Sequence, residues 1–245
     1  MTVTQAIVIV SAGLIAGIVN AMAGGGSLLT VALLTIFGDL PGLVANGTNR
    51  VGVAVQNIAS VAGYRREGIS GLSRAVPVLI PIIIGSIFGS LVVSSLTSES
   101  FERVFGVLML PILFLSLRPP KVSSVEITWR PITTYVVFFA IGIYGGAFQA
   151  GVGLVLVVAL ARSGLDLVNA NAVKVFVILV LTFFALPVFI IRSQVDWGFA
   201  AVLALGFALG GWIGARLAVR GGDRVIRPVL IIAVVALALR MIGVF

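Results

Sequence analysis

Residues 5–37 read QAIVIVSAGLIAGIVNAMAGGGSLLTVALLTIF and carry no charge. A hydrocarbon core takes about 20 apolar residues per helical crossing, so this stretch is too long for one span and short for two. Near its centre it is interrupted by Gly24, Gly25 and Gly26. Consecutive glycines break a helix rather than decorate it. The pattern predicts a re-entrant hairpin of two half-helices, one ending before Gly24 and one starting at about Ser27.

The rest of the chain agrees with a membrane setting. Of 245 residues, 60% are hydrophobic and 10% charged, against about 25% charged in a soluble domain. Further uncharged runs cover Ala75 to Ser98 and Pro131 to Ala161. Several such runs imply an all-α polytopic membrane protein, because lipid offers no partner to exposed backbone groups. Met1 to Gly38 lacks the charged start of a signal peptide and reads as mature structure. A net charge of +8 taken alone fits a nucleic acid partner. The basic residues instead sit singly between apolar runs, as cytoplasmic anchors do, so no nucleic acid partner is expected. The chain has no cysteine and no histidine. No metal or cofactor is expected, and no enzyme: no nucleophile with a base is in view.

The chain repeats itself at a spacing of about 125 to 129 residues. Gly13-Leu-Ile-Ala-Gly17 and Asn20 precede the first glycine cluster, and Gly142-Ile-Tyr-Gly-Gly146 and Gln149 precede Gly151-Val-Gly153. Ala45-Asn-Gly-Thr-Asn49 matches Ala170-Asn-Ala-Val-Lys174, and Gly85/Gly89 matches Gly210/Gly214. The expected organisation is a first repeat over 1–117, a cytoplasmic linker over 118–131 and a second repeat over 132–245. Each repeat is a glycine-broken hairpin plus three transmembrane helices. These lie near 42–63, 72–96 and 101–117, then 167–191, 197–216 and 225–243.

Loop charges indicate how the repeats lie. If each hairpin returns to its starting side, the repeats are inverted. One face then carries Arg65, Arg66, Arg74, Arg118, Lys121, Arg130, Arg162, Arg216, Arg220, Arg224 and Arg227; the other carries Arg103, Arg192 and Arg240. That asymmetry fits the positive-inside rule and puts both termini outside a bacterial inner membrane. A single crossing by the broken stretch would divide the charges almost evenly. Tyr64, Trp129, Tyr135 and Trp197 fall near span ends and read as interfacial anchors.

Two charges lie inside predicted spans, Arg50 and Lys174. Each is on the order of 12–17 Å in from its own face at about 1.5 Å per residue. A lipid-facing cation there costs at least about 2.5–3.5 kcal/mol, so both face the interior. All eight carboxylates lie in loops or at span ends. Two buried cations without a buried carboxylate imply an anionic substrate as the missing partner. The rival reading is that each cation bonds to helix carbonyls or snorkels.

The breaks point the same way. Half-helices starting near Ser27 and Leu154 present free N–H groups and the positive end of the helix dipole. Broken helices in both halves mark transporter sites. Asn20 and Gln149 precede the breaks. Asn46, Thr48, Asn49 and Asn171 lie within a turn of the cations, with Gln56 and Asn57 further along. Together with Gly24, Gly25, Gly26, Ser27, Gly151 and Gly153 they form the candidate substrate site. The small-residue patterns Gly85/Gly89 and Gly206/Gly210/Gly214 read as helix packing.

At Ala23-Gly-Gly-Gly-Ser-Leu-Leu29, Ala45-Asn-Gly-Thr-Asn-Arg50 and Ala170-Asn-Ala-Val-Lys174 the sequence resembles the TauE/SafE, or sulfite exporter, family. The resemblance covers essentially the whole chain. It implies transport of sulfite, thiosulfate, a sulfonate or a related organic anion, whereas spacing and composition indicate only a small anion. The expected mechanism is alternating access around a fixed midplane site. An anion channel and a carboxylate transporter remain alternatives.

Overall fold

The structure is a computed structural model and describes residues 1–22, 24–105, 107, 130–162 and 165–241. Every regular element among these is helical. In chain order they are α1 (Val3–Met22), α2 (Gly26–Ile36), α3 (Gly42–Arg66), α4 (Leu72–Ser94), α5 (98–105), α6 (Pro131–Ala147), α7 (Val152–Arg162), α8 (Leu167–Ile191) and α9 (Trp197–Met241). Four stretches are long and apolar enough to cross a membrane: Val3–Met22, Ala75–Ser94, Leu167–Ile191 and Trp197–Gly221. Most of the expected span over 101–117, Trp129 and most of the linker fall outside the described residues; the first residues of that span belong to α5.

Local chemistry sets the helix starts. Thr2 and Gln5 form a reciprocal capping box, with Gln5 N–H on Thr2 Oγ1 and Thr2 N–H on Gln5 Oε1. Asp166 caps α8, accepting from the backbone N–H groups of Val168 and Asn169 at 3.0 Å each. Pro131 opens α6, where its missing N–H costs nothing.

The helix breaks occur where expected, but their limbs are unequal. α1 has 20 residues and α2 has 11; α6 has 17 and α7 has 11. The first limb is therefore not a half-helix: the capping box starts α1 as early as Val3, and the break falls late in the stretch. α2 still folds back. Gly26 lies against the Ala16 carbonyl, and Gln5 Nε2 donates to the Phe37 carbonyl at 2.7 Å. The chain thus returns to the side from which α1 began.

Element boundaries recur at a fixed spacing along the chain. Those of α2, α3 and the start of α4 recur 125 or 126 residues later in α7, α8 and α9. Packing repeats at the same spacing, exchanged between halves. Gly85 sits on Phe139 and Ile143, and Gly210 on Leu14 and Ile18. Only a residue without Cβ allows these backbones to approach so closely. The pairings Gly206–Val10, Gly210–Leu14 and Gly214–Ile18 run α9 parallel to α1. Gly47, early in α3, lies against Gln194 beyond α8, while Gly71 beyond α3 lies against Ala172 early in α8. α3 and α8 therefore lie side by side in opposite directions, at the centre of the protein.

One expectation fails outright. No loop interrupts 216–227; α9 is a continuous helix of 45 residues. Gly221 keeps a non-positive φ, and the helix runs through Pro228 without ending. The charged residues read as a loop here are helical. Arg216 and Arg220 clasp Glu67, just past α3, at 3.0 and 3.1 Å.

Candidate functional site

The two breaks meet. Gly24, with φ 92°, lies so close to Gly153 that a Cβ on either would run into the other's backbone. At the second break Gln149 (φ 57°) and Gly151 (φ 77°) make the turn. α2 starts at Gly26 and α7 at Val152, within two residues of the expected starts.

Arg50 and Lys174 are both fully buried, and both reach a break. Each reaches the break of the opposite half. Arg50 Nη1 donates to Gln149 Oε1 at 2.8 Å and the Gly145 carbonyl at 3.2 Å, and Nη2 donates to the Gly146 carbonyl at 2.6 Å. Its guanidinium lies 4.4 Å from the Phe189 ring centroid. Lys174 Nζ donates to the carbonyls of Asn20 and Ala21 at 2.7 and 3.1 Å, and to Asn171 Oδ1 at 2.6 Å. The carbonyls lie in the last turns of α6 and α1, where the macrodipole is negative and a cation is stabilised. The expectation that both cations stay unpaired without an anion is corrected: helix carbonyls are their partners.

A polar network joins these posts. Asn20 Nδ2 donates to Ser27 Oγ at 3.1 Å and Gln56 Oε1 at 3.0 Å. Thr30 Oγ1 lies 2.6 Å from Asn49 Oδ1 and 3.2 Å from the Ser27 carbonyl. Asn46 Nδ2 donates to the Ala147 carbonyl at 2.8 Å, and Gln149 Nε2 to Thr182 Oγ1 at 2.8 Å. Asn171 Nδ2 bonds back to Leu167 O. Three buried atoms on α3 lack partners among the described residues: Asn46 Oδ1, Asn49 Nδ2 and Arg50 Nε.

The structure therefore brings together Asn20, Gly24, Gly25, Gly26, Ser27, Asn46, Asn49, Arg50, Gln56, Gln149, Gly151, Gly153, Asn171 and Lys174. It does not bring in Thr48, whose hydroxyl accepts from Asp196 N–H at 2.9 Å, or Asn57, which bonds to Val53 O in its own helix. Sequence reasoning missed Thr30 and Thr182. Thr30 lies one turn past the glycine cluster, a placement that could have flagged it. Tyr64 is another correction. It is not an interfacial anchor but buried, its hydroxyl on the Ala21 carbonyl at 3.2 Å beside Lys174. Tyr135 and Trp197 are exposed at their helix starts.

A family model described as sulfite exporter TauE/SafE matches residues 9–241. A probable membrane transporter protein ORF9 of Sinorhizobium sp is 27% identical over 95% of this chain and 90% of its own length. A probable membrane transporter protein of Haemophilus influenzae is 25% identical, covering 94% of this chain and 91% of its own. The probable membrane transporter protein YfcA of Escherichia coli K12 is 25% identical, with 94% and 86% covered. No solved structure matches.

Proposed function

This chain belongs to the sulfite exporter TauE/SafE family, and from that premise we propose that it is a membrane transporter moving a small sulfur-containing anion, such as sulfite, thiosulfate or a sulfonate, by alternating access. The observation that carries this reading is the contact of the two helix breaks beside buried, unpartnered donors on α3. The starts of α2 and α7 offer backbone N–H groups toward the same region. Asn49 and Arg50 add side-chain donors, and oxyanions are what such donors recognise. Lys174 and the Nη atoms of Arg50 have a different task in this reading: they neutralise the C-terminal ends of α1 and α6, fixing the breaks in place.

The two repeats lie inverted in the bilayer, with the Arg65/Arg66/Arg216/Arg220 face toward the cytoplasm and the start of α1 outside; the unbroken α9 does not turn back after Arg216, so the expected outside position of the C-terminal end is withdrawn. The opposed course of α3 and α8 supports this, as does the return of α2 to the start of α1. Alternating access then consists of rocking one half against the other around the breaks. None of the buried polar residues described is a carboxylate, so the membrane potential, acting on the anion's charge, is the simplest driving force.

The test is flux of radiolabelled sulfite, thiosulfate and sulfonates in liposomes carrying purified protein. Saturable flux with counterflow is expected. Arg50→Gln should reduce it at least about tenfold, roughly 1.4 kcal/mol of lost binding or barrier stabilisation. Flux linear in substrate without counterflow would indicate a channel, and no flux of any of these anions would refute the reading.

A further inference from the structure

The two half-sites descend from one pattern but end in different states. Asn46 and Asn49 correspond to Asn171 and Lys174 at the repeat spacing. In the α8 half-site every donor is satisfied. The three N–H groups of Lys174 meet three acceptors, and Asn171 is bonded through both its amide atoms. In the α3 half-site Asn49 Nδ2, Arg50 Nε and Asn46 Oδ1 are buried and have no partner among the described residues. These residues fall within one helical turn, so the three atoms share a side of α3. The orientation of Asn46 is fixed, because its Nδ2 must donate to the Ala147 carbonyl. What it leaves free is an acceptor.

We propose that the α3 half-site alone holds the substrate, and that Asn46 makes it select an anion bearing a hydrogen-bond donor of its own. The inference rests on the transport reading above. Asn49 Nδ2 and Arg50 Nε each meet an anionic oxygen. Asn46 Oδ1 meets a hydroxyl of the same ion. An anion with acceptors only sets an oxygen against the Asn46 carbonyl, which is repulsive and leaves a buried acceptor unmet. A site built to bond a substrate hydroxyl rejects the analogue that lacks it.

The experiment is calorimetric titration of detergent-purified protein with 2-hydroxyethanesulfonate and ethanesulfonate, which share an anionic head and differ by one hydroxyl. The hydroxylated anion should bind at least about tenfold tighter. Asn46→Leu should equalise the two. Equal affinity in the unsubstituted protein overturns the inference even if Asn46→Leu does not fold, and so does a preference that survives the substitution. Saturable sulfite flux alongside equal sulfonate affinities would sink this inference while leaving the transport reading intact. Absence of both flux and binding sinks the two together.

Discussion

Lys174 directs all three of its N–H groups at acceptors, two of them carbonyls at the end of α1. Lys174→Met leaves those carbonyls without a charged donor, and bonds of that kind contribute roughly 1.5–3 kcal/mol each. The expected result is a lower unfolding midpoint in detergent, with anion affinity retained by the folded fraction. Asn49→Leu should do the reverse, removing affinity with little loss of stability. Gly24→Ala combines a left-handed backbone with a clash on Gly153; it should abolish folded yield, measured by size exclusion. At this scale the sequence disclosed which residues are buried beside the breaks. It did not disclose their partners, since the acceptors are main-chain carbonyls, which every residue possesses. Tyr64 was misread for a similar reason: an aromatic near a helix end looks the same whether it faces headgroups or bonds to the Ala21 carbonyl.

Among the helices, tight glycine seams join α1 to α9 and α4 to α6. Gly210→Leu inserts a side chain where the Leu14 carbonyl already lies, so it should prevent this packing and abolish folded yield on size exclusion. The Glu67 clasp fastens the end of α3 to α9. Hydrogen bonds from Arg220 and then Arg216 hold the Glu67 carboxyl below its ordinary value of 4.5. A depressed folded value stabilises the protein above the unfolded value, and that contribution disappears as pH falls through the folded one. Glu67→Gln should therefore lower the thermal midpoint at neutral pH, with the gap from the unsubstituted protein closing in acid. The glycine seams were legible because small residues recur at four-residue spacing. The unbroken course of α9 was not, because Arg216, Arg220, Arg224 and Arg227 between two apolar runs read as a loop while the local backbone remains helical.

Across the molecule, the order of short matches reads as two halves, and helix ends recur 125 or 126 residues apart. The unequal limbs were not legible, because hydropathy marks where apolar residues stop and not where a turn falls within them. The proposed inversion gives a direct prediction. Ser70 and Arg192 are exposed and lie just past the ends of the corresponding helices α3 and α8. The chain has no cysteine of its own, so Ser70→Cys and Arg192→Cys each give a single thiol. A membrane-impermeant maleimide should label Arg192→Cys in intact cells and Ser70→Cys only in inside-out vesicles. Labelling of both from one side would exclude the inverted arrangement.

The seam between α1 and α9 also bears on how the protein is made. Gly13 is seated on Leu203, 190 residues further along the chain. At about 5–20 residues per second, ribosomal synthesis takes roughly 10–40 s to supply that partner. Throughout this interval α1 has a glycine-lined groove open to lipid. An insertase or chaperone shielding that groove would act during translation, and its loss should be felt as degraded nascent chains rather than slower transport.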